Sequence, residues 1–562
     1  MPNSETPHQS PNSSLVQLTP RQGSATVTAE MSRMKAVQPY WPRRLLHVGE
    51  ERLTSVERTR EYTYGSFEQP SYNILSYTWG RFISASGQCI EIDNIPWAVP
   101  RIEPKHFTAN DFNNAIRRVA SGVTHIWVDI ACIDQEDDEI KLDEIGHQAG
   151  IFDRAESAYV WLNHCRQHDL KVLLEQLREN VNIIGSAFLA KKDLIPLTKA
   201  IKQNLHKIFG DPWFSSLWTL QEAFLRPDAQ LVLDDGYIDP DVNLGILLGA
   251  LANLHDMMET LLAQQTHTLR RPRSRKAGLA RTIMDMVTRS GATMLSKENG
   301  SVLYVASSYR KAGNPLDKVY GIMQVFGLVL GGAAHPGRSF TLEELEYQLG
   351  AGLNETSPVY AQMFVHSEDP GLLGKRSWCI RNNVSIPRRV GNTILPDVAC
   401  RFSFDRETWL ATFEGKSCGF GCMSEFWRKG GASATRLISQ AVECIYLDQT
   451  SRNERVVPKV MLDEGSYEGA TGELNEILES EYGSEMSVLL LGKLRDIYRG
   501  RRDGYCWAGV LVYPTREDSR ISGSSSHQNI WSRIGICIWE LVDEDLESEQ
   551  EALFSPCNLM IG

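Results

Sequence analysis

Several signatures that commonly disclose function are missing from this chain of 562 residues. No GxxxxGK(S/T) phosphate loop occurs, because Gly415-Lys416-Ser417 is preceded by Leu410 where the first glycine would stand. There is no HExxH pair, no EF-hand loop and no GxSxG elbow, which removes the ordinary NTPase, metalloprotease, calcium-binding and α/β-hydrolase readings. Paired cysteine spacings are lacking as well. The eleven cysteines are scattered singly apart from Cys418 and Cys422, so they read as reduced thiols and not as a disulfide framework. His164-Cys165 with His168, and Cys418 with Cys422 and Cys444, lack the paired spacing of a structural zinc site, so no metal is expected. The longest uncharged run, Val319 to Gly337, holds five glycines and a proline and would span a membrane poorly. No charged segment followed by an apolar run opens the chain, so no secretory signal is expected. Positive charge is not in excess either. Lys and Arg number 58 against 70 Asp and Glu, a net −12, which argues against nucleic acid and anionic membranes as partners. A cytoplasmic protein without a membrane span is predicted.

The sequence is rich in material for cores and pockets, with 42% hydrophobic residues and thirteen tryptophans. Its length calls for two to four units. Residues 1–38 form a polar tail: eighteen of the first thirty are Ser, Thr, Asn, Gln or Pro, too polar to offset the entropy of ordering. Residues 39–240 alternate strand and helix patterns. Strands are predicted at Asn73–Tyr77, Cys89–Ile92, His125–Asp129, Ala158–Leu162 and Gln230–Leu233. Helices are predicted at Asp111–Ala120, Lys141–Ala155, Lys191–Ile208 and Ser215–Phe224. The fold class that follows is α/β, with a mostly parallel sheet and helices on both faces. Residues 241–370 read as helical, notably Val242–Leu262 and Leu279–Arg289. The basic stretch Arg270, Arg271, Arg273, Arg275 and Lys276 between them reads as a solvated linker. Residues 371–562 read as a mixed α+β region, ending in hairpin-like runs at Tyr505–Tyr513 and Ile530–Leu541. Its acidic stretches, Asp463–Glu485 and Glu540–Glu551, are expected to be exposed.

Ligands of open parallel sheets sit beyond the carboxyl ends of the strands, so residues ending those strands are the site candidates. Ser76, Trp79 and Gly80 close the first strand, where a small hydroxyl, a flat ring and a glycine free to take positive φ suit a nucleotide-sized ligand. Asp129 ends another strand and reads either as a ligand for a sugar hydroxyl or as the cap of the following turn. Trp218, Gln221, Glu222 and Leu225 stand at i, i+3, i+4 and i+7, one face of a helix. A glutamate beside tryptophan on such a face loses solvation, which raises its pKa and suits sugar chemistry. The alternative is a structural ion pair between Glu222 and a nearby Arg or Lys.

Three segments carry a resemblance. Tyr72-Asn73-Ile74-Leu75-Ser76-Tyr77-Thr78-Trp79-Gly80, Ile126-Trp127-Val128-Asp129-Ile130-Ala131-Cys132-Ile133-Asp134-Gln135 and Trp213-Phe214-Ser215-Ser216-Leu217-Trp218-Thr219-Leu220-Gln221-Glu222 resemble, in order and spacing, the signatures of the fungal heterokaryon-incompatibility (HET) domain. Asn314-Pro315-Leu316-Asp317-Lys318-Val319-Tyr320-Gly321 and Arg533-Ile534-Gly535 resemble segments found downstream in such proteins. Departures from the pattern include Asp134 for Asn, Gln148 for Met and Ser216 for Arg, the last removing a cation. The HET domain is in turn remotely similar to Toll/interleukin-1 receptor (TIR) domains. Ile74-Leu75-Ser76-Tyr77 resembles their first strand, and Trp218-Thr219-Leu220-Gln221-Glu222 their W-C-L-x-E segment. The resemblance implies programmed cell-death or self/non-self signalling. It also implies Glu222 as the catalytic residue of NAD hydrolysis, with Ser76, Trp79, Gly80, Asp129 and Trp218 binding the nucleotide. No cofactor is implied, since NAD enters as substrate. The alternative it implies is a non-enzymatic module that assembles with itself or with another incompatibility protein.

Overall fold

The computed structural model describes residues 40–59, 62–189, 195–268, 275–295, 301–367, 376–381, 384–386, 393–433, 443–448, 478–496, 505–515, 529–539 and 545–562. The expected tail through Gln38, the basic residues Arg270, Arg271 and Arg273, the start of the helix predicted from Lys191, and most of the acidic stretch from Asp463 lie outside these residues.

The N-terminal sheet has seven strands: β1 (Arg44–Val48), β2 (Leu53–Glu57), β3 (Tyr72–Ser76), β4 (His125–Trp127), β5 (Ala158–Trp161), β6 (Gln230–Val232) and β7 (Ile238–Asn243). Their spatial order is β7-β6-β5-β3-β4-β1-β2. The four central strands are parallel, and β1, β2 and β7 are antiparallel additions at the edges. Counted along the chain, the parallel strands lie in the order 2-1-3-4, a doubly wound arrangement. Pro240, which cannot donate to a ladder, sits in the edge strand β7, where no neighbour needs its missing N–H.

Alternation along the strands decides which core each side chain enters. Tyr159, Trp161 and Val232 join one core with Phe112, Ile116, Ile151 and Phe152 from the helices Ala109–Val119 and Gln148–Arg154. Ala158, Val160, Leu231 and Leu233 face the other way, onto Leu173, Leu205, Leu247 and Ile283. The first core also takes in Tyr304, Val319, Tyr320, Leu345 and Phe364, so packing runs across the boundary expected near residue 240.

Three expectations need correction. No strand forms at Cys89–Ile92; the strand lies at Ile83–Gln88 instead. Ile90 and Ile92 do alternate inward at 2% and 9% exposure, but the segment finds no ladder partner until Asp93 bridges Thr54. The helix predicted over Lys141–Ala155 is two helices, Asp138–Gly146 and Gln148–Arg154. The ring of His147 bonds the Asp143 carbonyl at 2.8 Å and closes the first of them. The acidic run Glu540–Glu551 contributes a helix, Asp545–Leu553, whose Gln550 is fully buried and accepts from Trp539 Nε1 at 2.6 Å.

The C-terminal strands are β8 (Thr393–Val398), β9 (Arg401–Phe404), β10 (Ala411–Gly419), β11 (Glu443–Leu447), β12 (Ser487–Asp496), β13 (Tyr505–Thr515), β14 (Ile530–Trp539) and β15 (Ser555–Ile561). The predicted runs from Tyr505 and Ile530 pair with each other as β13 and β14, Trp507 lying opposite Trp539. Pairings β10-β12-β13-β14-β15-β10 close a ring of five strands around Leu489, Leu491, Val510 and Ile536. Among the described residues, no helix is long and apolar enough to cross a membrane.

Candidate functional site

A cleft of about 860 Å³ opens beyond the carboxyl ends of β3 and β4, and all three signature segments contribute to its lining. The chain leaves β3 after Ser76, runs through buried Tyr77 and Thr78, and exposes Trp79 and Gly80 to the cleft. Oγ1 of Thr78 is buried without a hydrogen-bond partner among the described residues, and the buried Tyr77 hydroxyl interacts with the Asp129 carboxyl. Gly80 does not serve as the sequence suggests. It has no positive φ, and a Cβ there would meet nothing within 4 Å. It borders open space at the mouth and is not pressed against another backbone.

Asp129 does not end a strand: β4 stops at Trp127, and Asp129 begins a short helix, Asp129–Cys132. Both oxygens of its carboxylate have partners. Oδ1 accepts from the Ile130 amide at 2.7 Å, and Oδ2 accepts from Trp79 Nε1 at 2.6 Å. Burial pushes this carboxyl up to about 6, against the pull of both bonds. The Trp79–Asp129 bond thus ties the first signature to the second. Cys132 is buried as a core residue, its thiol raised by burial.

Two residues before the third segment stands Asp211, whose carboxylate accepts from the amides of Trp213 at 2.9 Å and His164 at 2.8 Å. Trp213 is fully buried and donates Nε1 to Ser76 Oγ at 2.8 Å. The Ser76 hydroxyl in turn donates to Oε2 of Glu222, on the helix Trp218–Leu225. One serine therefore links the end of the central strand to both ends of the third segment. No ion pair holds Glu222 among the described residues; the serine hydroxyl stands where the sequence left a cation open. Burial drives the Glu222 carboxyl up to about 8, Asp129 adds to the rise, and the Ser76 bond opposes it. At neutral pH Glu222 is therefore mostly protonated and Asp129 mostly charged, two carboxyls of one cleft in different states.

Trp218 and Glu222 reach the cleft, while Gln221 and Leu225 do not line it. Gln221 is fully buried, donates to Gln148 Oε1 at 2.7 Å and accepts from the Gln324 amide at 3.3 Å. The glutamine at position 148 thus has a partner in Gln221.

Several lining residues were not singled out as site candidates: Gln135, Lys141, Gln148, Lys311, Asp317 and Arg338. The last three come from beyond residue 240, brought in by the shared core. Asp317 carried a signal, since it lies in the downstream segment noted above. Burial raises its carboxyl, while the Asn314 backbone, the Trp218 ring nitrogen and the charge of Lys141 act against the rise.

Residues 72–222 match the family model described as Heterokaryon incompatibility protein (HET). The matched span opens on Tyr72, the first residue of β3, and closes on Glu222, the carboxyl of the cleft. The match points to a role in heterokaryon incompatibility. No curated protein and no solved structure matches the chain at a significant level.

Proposed function

We propose that this chain acts in heterokaryon incompatibility and programmed cell death as a cytoplasmic protein whose HET domain hydrolyses NAD at the nicotinamide–ribose bond. The observation that carries this reading is Glu222, a desolvated carboxyl fixed by Ser76 in a nucleotide-sized cleft that also holds Trp79, Trp218 and a second carboxyl, Asp129. The doubly wound 2-1-3-4 strand order and a cleft beyond the strand ends support the TIR-like reading.

In the reaction, the bond between ribose C1′ and the pyridinium nitrogen breaks and its electron pair leaves on nicotinamide, which becomes neutral. Water adds to C1′ and loses a proton, so NAD and water give ADP-ribose, nicotinamide and H⁺. Positive charge grows on the ribose ring before water bonds, and the carboxylate of Glu222 stabilises it. The approach of a cationic pyridinium favours the ionised form of that carboxyl in the complex. Ring faces of Trp79 and Trp218 suit the flat bases.

The test is nicotinamide release from NAD by the purified chain. Release above the no-protein control is expected. Its absence would overturn the hydrolase and leave assembly with a second copy or another incompatibility protein as the role of the domain.

A further inference from the structure

The cleft has a basic corner as well as an acidic floor. At Ser215-Ser216 the backbone is paired with a strand fragment from far along the chain. The Lys311 amide donates to the Ser215 carbonyl at 2.8 Å, and the Leu217 amide donates to the Lys311 carbonyl at 3.1 Å. Ser216 and Lys311 are bridge partners, so their side chains leave the backbone on the same side, and both line the cleft. The cation that Ser216 does not provide is thus delivered from the neighbouring strand.

Placement of Lys311 is not left to that bridge alone. The preceding residue, Arg310, is buried at 5% exposure. It donates to the carbonyls of Trp213 at 2.9 Å and Ser216 at 3.2 Å, and to that of Ser290. Its guanidinium clamps the loop entering the Glu222 helix and fixes the register of the next residue. Lys311 itself is exposed and, among the described residues, makes no side-chain hydrogen bond or ion pair. Arg81 joins it from the first segment. Its Nη2 donates to the Pro212 carbonyl at 2.9 Å and to Ser215 Oγ at 3.1 Å, while Nε and Nη1 make no hydrogen bond among the described residues.

We propose that Arg81, Ser216 and Lys311 form a phosphate-binding corner, and that the cleft takes a ligand carrying a diphosphate, a nucleotide and not a free nucleoside. Three features support it: an unpaired ammonium, a guanidinium with free donors, and a rigid backbone that holds both at one edge of the lining. Guanidinium and ammonium groups are the side chains suited to phosphate oxygens. The chain as a whole is acidic, at −12, so the pairing of these two cations is not a reflection of its overall charge.

The proposal rests on the reading of the cleft as a nucleotide site, but its test needs no bond cleavage. Binding of ADP, adenosine and inorganic pyrophosphate would be measured by calorimetry on the whole chain, with Lys311→Gln, Lys311→Arg and Arg81→Gln alongside. ADP is expected to bind more tightly than adenosine or pyrophosphate, with the advantage over adenosine shrinking as salt is raised. Lys311→Gln and Arg81→Gln should each weaken ADP about tenfold and leave adenosine unchanged, and Lys311→Arg should restore most of the loss. The proposal is overturned by equal binding of ADP and adenosine, by pyrophosphate binding as tightly as ADP, by unchanged ADP affinity in Lys311→Gln, or by no ADP binding at all. A chain that binds ADP through Lys311 yet releases no nicotinamide would refute the hydrolase and leave the phosphate corner standing.

Discussion

Replacing Glu222 by glutamine keeps the shape of the side chain and removes its ability to ionise, so the variant isolates what the charge does. The carboxyl moves from its ordinary 4.5 to about 8 on folding, chiefly because burial disfavours the charged form. The sign follows from which state releases its proton first. Below about pH 4.5 the carboxyl is protonated folded and unfolded, and it leaves stability unaffected. As pH rises, the unfolded chain ionises first, so stability is lost progressively until the folded group also ionises near pH 8. At 1.36 kcal/mol per pKa unit the full shift is worth about 5 kcal/mol, and water reaching the half-buried group from the cleft reduces this to about 2 kcal/mol. Glu222→Gln should therefore melt with the parent near pH 5 and above it at pH 8.5. Nicotinamide release should fall by about a hundredfold or more, since a charge aimed at the transition state is gone. In the parent, kcat/KM should climb with pH towards about 8, because the carboxylate of the free enzyme is the working form. Undiminished release in the variant would refute the catalytic role. A melting temperature lowered at both pH values would show the carboxyl to be a structural anchor, and a kcat/KM that falls between pH 6 and 8 would make the protonated acid the active form.

Two further predictions concern the scaffold around this carboxyl. Ser76→Ala removes the acceptor of the buried Trp213 Nε1 and the donor to Glu222; urea unfolding should show a loss of about 1–2 kcal/mol, and the rising limb of the kcat/KM profile should move to higher pH, since a bond favouring the charged form is lost. A limb that stays put would mean the serine does not tune Glu222. Arg310→Met leaves the carbonyls of Trp213, Ser216 and Ser290 without their donor; a loss of about 1–3 kcal/mol is expected, with faster proteolysis near Trp213, and unchanged stability would show that the clamp is not needed.

The central strands at Ala158–Trp161 and Gln230–Val232 were readable as short apolar runs between helical patterns, because a sheet covered on both faces is apolar at nearly every position. So were a helix at Asp111–Ala120, found at Ala109–Val119, and the placing of site candidates at the strand ends, where the three signature segments meet. The segment Cys89–Ile92 shows the limit of that signal: inward alternation is necessary for a half-buried strand, but a ladder needs a partner, and none lies beside it. Equally hidden was the barrel ring, which closes through β14 and β15 by a parallel pairing at Ile530 and Trp531 that no local pattern announces.

Local patterns announced the strand that carries Ser76 and the helix that carries Glu222, since β-propensity and helical spacing are local properties, whereas Asp129 was expected at a strand end and begins a helix. Tertiary structure alone decided their electrostatics and their company. Whether Glu222 faced a cation or a serine depended on where Ser76 lay in space, 146 residues earlier in the chain, and its protonation follows from that burial and not from its neighbours in sequence. Lys311 entered the cleft only because Arg310 and a two-residue bridge fasten a distant segment beside Ser216. Long-range contacts of this kind leave no trace in periodicity or spacing, because the chain between the partners is free to vary while the packing that joins them is not.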